Sequence, residues 1–253
     1  MIKIHKEVYG QGKPIVLIHG WAMHSGIWRT FARQLAQHYQ VTCLDIPGHG
    51  FSDTIEPYTL ESIADVLMEA VPESSFCLLG WSLGASIAFT MAKKYPHRID
   101  SLICLAGNPK FIQADDWHGM QVELLDDFAQ NLQLSCQPTL LRFLALQVYG
   151  LAHGKSLLKD LKQAIYECPS PEEPVLKQGL DILKQADLRD ELRALNCPLM
   201  IIQGDKDSLI PVQVGEDMQK LYANSERIMV SGAGHVPFLS HQALVVNTIS
   251  GFV

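Results

Sequence analysis

The sequence lacks a long apolar run, an excess of positive charge and an apolar N-terminal stretch. No run approaches the roughly 18 consecutive apolar residues that cross a bilayer, so a membrane-spanning helix is not expected. Lys and Arg number 20 against 27 Asp and Glu, and the formal net charge of −7 disfavours nucleic acid as a partner. The first residues, MIKIHKEVYGQG, are too polar for a secretory signal, so we expect a cytoplasmic protein.

Metal and disulfide signatures are also missing. The six cysteines lie 27 to 34 residues apart and form no Cys-x-x-Cys pair, which argues against a zinc site and against a disulfide scaffold. Several cysteines stand in apolar runs, so we expect them to be small buried thiols. Hydrophobic residues make up 47% of the chain and charged residues 19%, which is enough apolar material for a sizeable core and excludes disorder.

What is present is an alternation of short apolar runs with helical patterns. Runs of four or five apolar residues bounded by Gly, Pro or Asp are typical of strands buried on both faces. We predict strands at residues 15–18, 41–44, 76–79, 102–105, 199–202 and 227–230. Helical patterns cover residues 27–38, 60–70, 83–95 and 242–252. This order predicts an α/β fold with a mostly parallel central sheet flanked by helices.

The middle of the chain breaks this alternation. Residues 111–194 contain no strand pattern, and their helical patterns lie at 122–132, 139–148, 156–168 and 175–185. The segment is too long for a crossover between two buried strands. We therefore predict an inserted, all-helical cap over the carboxyl edge of the sheet, where open α/β folds bind ligands. The core would then consist of residues 1–110 and 195–253.

The strongest chemical motif is Gly80-Trp81-Ser82-Leu83-Gly84, which has the pattern Gly-x-Ser-x-Gly. It follows a predicted strand and opens a predicted helix. A turn this tight strains the backbone of the serine and requires small neighbours, so the flanking glycines favour a nucleophilic serine. An ordinary strand–helix turn with a helix-capping serine is the plainer alternative.

A nucleophilic serine needs a base to take its proton and a carboxylate to hold that base. Two later loops supply these groups in the chain order Ser, Asp, His. Asp205 and Asp207 follow the predicted strand 199–202, and His235 follows the predicted strand 227–230. Because the carboxyl ends of parallel strands meet at one edge of a sheet, we expect these side chains to lie near Ser82.

These motifs resemble the α/β-hydrolase family along nearly the whole chain. In that family the acid lies in a Gly-x-x-Asp-x-x-Ile/Val-Pro loop, which implies Asp207 rather than Asp205. The segment around His235 is similar to the family's catalytic histidine loop. The resemblance implies an oxyanion hole formed by the backbone N–H groups of Trp21 and Leu83. It also implies catalysis without a metal or an organic cofactor.

Within that family, five segments resemble the esterases that remove a terminal methyl ester from an acyl chain on acyl-carrier protein in biotin synthesis. These segments are residues 19–21, 80–84, 142–147, 179–184 and 233–238. The resemblance implies that the acyl chain is bound by Trp21, Phe111, Phe143, Leu144, Ala145, Leu146 and Gln147. It further implies a monomeric enzyme whose partner is the acyl-carrier protein bearing a pimeloyl methyl ester.

A basic surface on the predicted cap agrees with such a partner. Between residues 142 and 162 the charged side chains are Arg142, Lys155, Lys159 and Lys162 against the single acid Asp160. In an otherwise acidic chain, these cations would steer a strongly acidic carrier protein. The family has arginine at several of these places, and this chain has Lys155 and Lys159 instead. Lysine keeps the positive charge but cannot make the bidentate contact that arginine makes with a carboxylate.

The expectation is therefore a serine carboxylesterase that releases methanol from the carrier-bound pimeloyl methyl ester. A carboxylesterase for short free esters, without carrier docking, is the main alternative. A carbon–carbon bond hydrolase or a lactonase could share the same three residues, and an inactive fold could serve as a ligand receptor. A dehalogenase is disfavoured, because those enzymes have aspartate where this chain has Ser82.

Overall fold

A seven-stranded sheet forms the centre of the computed structural model, which describes residues 2–253. The strands are β1 (Lys6–Tyr9), β2 (Lys13–Ile18), β3 (Tyr39–Leu44), β4 (Phe76–Trp81), β5 (Ile99–Leu105), β6 (Leu199–Gly204) and β7 (Ser225–Val230). Their order across the sheet is β1-β3-β2-β4-β5-β6-β7. β1 runs antiparallel to β3, and the other neighbours are parallel. The predicted fold class is confirmed.

Helices cover the sheet on both faces. They are α1 (Arg29–Leu35), α2 (Leu60–Ala70), α3 (Leu83–Lys94), α4 (Val122–Leu134), α5 (Cys136–Gln147), α6 (Gly154–Ile165), α7 (Glu173–Gln185), α8 (Arg189–Arg193), α9 (Gln213–Leu221), α10 (Pro237–Ser240) and α11 (Gln242–Phe252). None of the helices in residues 2–253 combines the length and the apolar character needed to cross a membrane.

The apolar pattern did not predict β1 and α9. β1 lies at the edge of the sheet and pairs with β3, and its residues alternate between exposed and half-buried, so it contains no apolar run. α9 buries Val214 and Met218 between charged residues, which hides its apolar face in the sequence. Both elements are amphipathic and short, whereas the predicted strands β2, β3, β4, β5 and β6 are buried along most of their length. Among the predicted strands, β7 alone is mostly half-buried or exposed.

Two apolar cores lie on opposite faces of the sheet, because successive side chains of a strand point to opposite sides. In β2, Val16 and Ile18 belong to the core that packs against α2 and α3. Ile15 and Leu17 belong to the core that packs against α1 and α11. We call them the α3-side core and the α1-side core.

Helices α4 to α7 follow β5 and precede β6 in the chain, and they contact the loops after β2 and β7 through Leu176 of α7 and Gln147 of α5. α4 packs against α5 and α7, and α5 packs against α6. The segment before α4 has two isolated β-bridges, Ile112–Met120 and Ala114–Trp117, and no strand. The division into a core and a cap at residues 111–194 stays a prediction, and "cap" below means α4 to α7 with their connecting loops.

Candidate active site

Ser82 lies on the sharp turn between β4 and α3, with φ 56° and ψ −119°. This is the left-handed region, which non-glycine residues rarely adopt and which marks strain at functional sites. The flanking glycines are required by close approach of the backbone. A Cβ on Gly80 would lie 2.2 Å from Gly84 O, and one on Gly84 would lie 2.4 Å from Ile18 O. The turn therefore presents the serine at the carboxyl edge of the sheet, as the motif predicts.

Asp207 and His235 meet at the same edge, from the loops after β6 and β7. His235 Nδ1 lies 2.8 Å from Asp207 Oδ2, and the two side chains are 0% and 1% exposed. The other carboxylate oxygen, Oδ1, accepts hydrogen bonds from Leu209 N at 2.8 Å and Ile210 N at 3.0 Å. The carboxylate is therefore fixed by its own loop, and it fixes one ring nitrogen of the imidazole.

Asp205, the alternative acid, has a different place. Its carboxylate accepts hydrogen bonds from Gly232 N at 2.6 Å and from Ser231 Oγ at 3.1 Å. These contacts hold the start of the loop that carries His235, and they leave the imidazole to Asp207. The geometry therefore favours Asp207 as the orienting acid and gives Asp205 a loop-positioning contact.

Trp81 links the serine turn to the histidine loop. Its indole Nε1–H donates a hydrogen bond of 2.8 Å to His235 O, and Trp81 immediately precedes Ser82. His235 Nε2 is buried and has no hydrogen-bond partner within residues 2–253, so Ser82 Oγ is not bonded to it in this state. Catalytic hydrogen bonds of free enzymes are often formed only with substrate. Ser82 keeps 5% of its surface exposed.

The loop after β2 lies directly beside Ser82. A Cβ on Gly20 would lie 3.1 Å from Ser82 Cβ, so the backbone at residues 20–21 approaches Ser82 closely. Leu83 is the first residue of α3, and an N–H in the first turn of a helix has no partner within that helix. The backbone N–H groups of Trp21 and Leu83 thus come from two segments that flank the serine.

The buried His19 ring holds this loop through two hydrogen bonds to backbone atoms. Its Nε2 accepts a hydrogen bond of 3.0 Å from Ile46 N, which leaves Nδ1–H to donate to Gly20 O at 2.8 Å. Burial lowers the pKa of His19, and burial lowers that of the neighbouring His49 to about 4. Both imidazoles are therefore neutral at physiological pH, and His19 is a structural support of the loop after β2.

The cap reaches the site through the Trp21 side chain. The indole Nε1–H donates a hydrogen bond of 2.9 Å to Leu176 O of α7. The ring also packs edge-on against the Phe143 ring of α5, with the two ring centroids 4.9 Å apart. A Cβ on Gly179 would lie 2.7 Å from Trp21 Cδ1, so α7 needs glycine there. The sequence gives one signal of this contact, an isolated glycine inside the helical pattern 175–185.

The residues predicted to bind the acyl chain do not all share one environment. Phe111 and Phe143 belong to the α3-side core together with Trp21, and Leu146 packs against that core. Leu144 belongs to the α1-side core, because adjacent residues of a helix point about 100° apart. Ala145 is half-buried. The residues that share a core with Trp21 are therefore Phe111, Phe143 and Leu146.

Gln147, at the end of α5, contacts the histidine loop. Its backbone O accepts a hydrogen bond of 3.0 Å from His235 N. Its side chain is 1% exposed, and neither Oε1 nor Nε2 has a hydrogen-bond partner within residues 2–253. The backbone of α5 is therefore joined to the loop that carries His235, independently of the Gln147 side chain.

The four basic residues predicted to dock the carrier protein lie on the neighbouring helices α5 and α6. Lys155 and Lys159 are exposed one turn apart on α6, with Lys162 half-buried a further turn along the same face. Within residues 2–253 none of these three lysines forms a salt bridge. Arg142 is exposed on α5 with its guanidinium carbon 5.6 Å from the centre of the Phe128 ring.

The family of the chain follows from comparisons with known proteins. Residues 13–242 match the family model described as "alpha/beta hydrolase fold". The chain therefore belongs to the α/β-hydrolase family, and the predicted resemblance is confirmed.

Curated relatives and solved structures refine the placement. A pimeloyl-[acyl-carrier protein] methyl ester esterase of Methylococcus capsulatus is 38% identical over 98% of this chain and 97% of its own length. A protein of the same name from Aeromonas salmonicida is 36% identical over the full length of both chains. An esterase from Exiguobacterium antarcticum superposes with a TM-score of 0.90 at 23% identity, covering 99% of this chain and 95% of the other. An enol-lactonase from Burkholderia xenovorans superposes with a TM-score of 0.86 at 18% identity, covering 99% and 96%. At these low identities, the similarity to both structures shows only that this chain shares their fold.

Proposed function

We propose that the protein is a serine carboxylesterase that hydrolyses the terminal methyl ester of a pimeloyl chain held on acyl-carrier protein. The observation that carries the chemistry is the buried Asp207–His235 pair at the edge where the strained turn presents Ser82. The substrate follows from the name shared by relatives that are 34–38% identical over nearly the whole chain. The products would be methanol and pimeloyl-carrier protein, whose terminal carboxylate is then free, for biotin synthesis.

In the first half of the reaction, Ser82 Oγ attacks the ester carbonyl carbon while His235 Nε2 accepts the hydroxyl proton. Asp207 holds Nδ1–H and stabilises the imidazolium that forms. The carbonyl oxygen becomes an oxyanion, which the N–H groups of Trp21 and Leu83 stabilise. The tetrahedral intermediate collapses, and His235 gives its proton to the departing methoxide, so that methanol leaves and Ser82 carries the acyl group.

In the second half, water replaces methanol. His235 Nε2 takes a proton from the water as it attacks the acyl carbon, and the same two N–H groups hold the second oxyanion. Collapse breaks the bond to Ser82 Oγ, which recovers its proton from His235. The free carboxylate is released, and the serine is restored.

The cap gives a physical reason for selectivity. Phe143 and Leu146 offer apolar surface beside Trp21 for the acyl chain, while the unpaired lysines of α6 face outward. An acidic carrier on that helix would keep the thioester end of the chain outside and deliver the far end to Ser82. The methyl ester would then be cleaved and the thioester would not.

The deciding experiment compares the carrier-bound pimeloyl methyl ester with free methyl and p-nitrophenyl esters of increasing chain length. We expect kcat/KM to be highest for the carrier-bound ester, with methanol released and the thioester intact by mass spectrometry. Labelling with a fluorophosphonate should modify Ser82 in the same preparation. Equal or faster turnover of short free esters would contradict the carrier substrate, and failure of Ser82 to react would contradict the site.

A further inference from the structure

The loop after β6, residues 205–211, forms a compact turn around Asp207, and we call it the Asp207 loop. Oδ1 of the carboxylate accepts hydrogen bonds from Leu209 N and Ile210 N, and these two residues are 3% and 1% exposed. Ser208, inside the same turn, is exposed. The turn is therefore held by its own backbone bonds and buried side chains, which leaves the Ser208 hydroxyl for a contact outside the turn.

That contact is with the end of α5. Ser208 Oγ–H donates a hydrogen bond of 2.7 Å to Leu146 O, across 62 positions of the chain. Within residues 2–253 it is the only hydrogen bond between the Asp207 loop and the cap. Leu146 O also accepts a hydrogen bond from Tyr149 N, as the two lone pairs of a carbonyl oxygen allow. A single hydroxyl therefore fastens the loop of the proposed acid to a helix of the cap.

The next carbonyl of α5 holds the loop of the proposed base. Gln147 O accepts a hydrogen bond of 3.0 Å from His235 N. Both carbonyls belong to the last turn of the helix, where C=O groups have no partner four residues ahead within the helix. The loops of Asp207 and His235 thus meet on two successive peptide groups, whose relative position is set by helical geometry.

This end of α5 is anchored in the protein. Leu144 is 0% exposed in the α1-side core, and Leu146 packs against the α3-side core. A close-packed segment shifts only if its neighbours shift, so the last turn of α5 is a firm support for both loops. On its other side, His235 O accepts the hydrogen bond from Trp81, which directly precedes Ser82. The backbone of His235 is therefore held between the end of α5 and the serine turn.

We propose that Ser208 is a positioning residue, whose hydroxyl holds Asp207 in place relative to His235 by fixing the Asp207 loop to α5. The inference rests on the proposed function, because it takes Asp207 as the acid and His235 as the base. Without this bond the Asp207 loop would lose its link to the helix that also holds His235. Catalytic groups that depart from their aligned geometry lose rate, whereas the ester would still bind. The loss is therefore expected in kcat and not in KM.

The test compares Ser208→Ala, Ser208→Thr and the matched control Ser225→Ala. Ser225 Oγ donates a hydrogen bond of the same length, 2.7 Å, to Tyr222 O, but it lies at the start of β7, at the end of the strand away from His235. The readouts are the rate at which a fluorophosphonate labels Ser82, and kcat and KM for a free p-nitrophenyl ester. Neither readout requires the carrier protein.

Ser208→Ala should lower the labelling rate and kcat about fivefold, with KM within twofold of the wild-type value, because a neutral hydrogen bond is worth about this factor. Ser208→Thr keeps a hydroxyl and should restore both rates to within twofold. Ser225→Ala should leave them unchanged. Thermal unfolding of the same preparations should show all variants folded.

A double-mutant cycle tests whether Ser208 acts through Asp207. In an Asp207→Asn background, Ser208→Ala should change the labelling rate by less than twofold, because the carboxylate that Ser208 positions is already gone. A merely structural role would give the same fivefold loss in both backgrounds.

Four results would overturn the inference: wild-type rates in Ser208→Ala, a loss that Ser208→Thr does not reverse, an equal loss in Ser225→Ala, and a fivefold loss that persists beside Asp207→Asn. Failure of the proposed function looks different. Poor turnover of the carrier-bound ester would contradict the carrier substrate and leave these rate ratios as they are. A wild-type protein whose Ser82 does not react would overturn the proposed site and this inference together.

Discussion

The core and the cap use polar side chains in opposite ways. In the core, the side chains of Asp207 and His235 are almost fully buried. Two backbone N–H groups hold the Asp207 carboxylate, and that carboxylate holds His235 Nδ1. In the cap, Lys155 and Lys159 are exposed on α6 without a salt bridge within residues 2–253. Large apolar side chains are exposed there too, with Leu134 at 84% and Tyr149 at 72%. The Asp207–His235 pair is thus enclosed, whereas the cap exposes charged and large apolar side chains to solvent.

Two backbone carbonyl groups of the cap accept hydrogen bonds from residues of the proposed active site. Leu176 O of α7 accepts a hydrogen bond from the indole of Trp21. The backbone N–H of the same residue is the one proposed for the oxyanion hole. Gln147 O of α5 holds the backbone N–H of His235. The position of the cap therefore affects both the loop proposed for the oxyanion hole and the residue proposed as the base, although the cap supplies neither. We therefore expect variants in the core to lower turnover of every ester, and variants in the cap to change which ester is preferred.

The largest expected effect comes from the core. Ser82→Ala should lower kcat by about 10⁴- to 10⁶-fold on carrier-bound and free esters alike, because the nucleophile is lost for both. Ester hydrolysis and thermal unfolding should be measured on the same preparation, and the unfolding temperature should not fall. A variant that keeps near-normal turnover would mean that the reaction takes place elsewhere.

A smaller loss in the core distinguishes the two aspartates. Asp207→Asn keeps the shape but removes the charge that orients His235 and stabilises the imidazolium, so kcat should fall by about 10³- to 10⁴-fold. Asp205→Asn is the matched control, since its partners are Gly232 N and Ser231 Oγ, and it should lose less than tenfold. Comparison of the two kcat values decides the assignment. The reverse order of effects would give the acid's role to Asp205.

The same contrast explains what the sequence could predict. Buried strands and the Gly80–Gly84 turn have strong local patterns, so the fold, Ser82 and its edge of the sheet were predictable. The choice of Asp207 needed the family resemblance, because both aspartates have the same local pattern. The contact between Trp21 and Leu176 joins residues 155 positions apart and depends on how the cap docks, which no local pattern encodes. The amphipathic elements β1 and α9 were missed because their apolar residues are few and interrupted.

Charge reversal in the cap should affect only one class of substrate. The double variant Lys155→Glu/Lys159→Glu should lower kcat/KM for the carrier-bound ester by about tenfold at low salt, because attraction to an acidic partner becomes repulsion. The effect should shrink as salt is added, and turnover of a short free ester should stay within about twofold. Steady-state kinetics between low and high ionic strength measure this. Equal losses on both substrates would show that α6 acts on the site itself and would remove the basis for docking.

The smallest effect concerns stability and compares a buried core histidine with an exposed cap histidine. Burial holds the pKa of His49 at about 4, whereas the unfolded chain takes up a proton near pH 6.5. The unfolded state therefore binds more protons between these values, and the free energy of unfolding should fall as pH falls, by up to about 1.4 kcal/mol per pH unit. His49→Gln should make that slope shallower in denaturant titrations between pH 7 and pH 4.5. His153→Gln, at an exposed cap position, is the control for the exchange of a histidine for glutamine. Equal changes in both variants would mean that the burial of His49 is not what couples folding to pH.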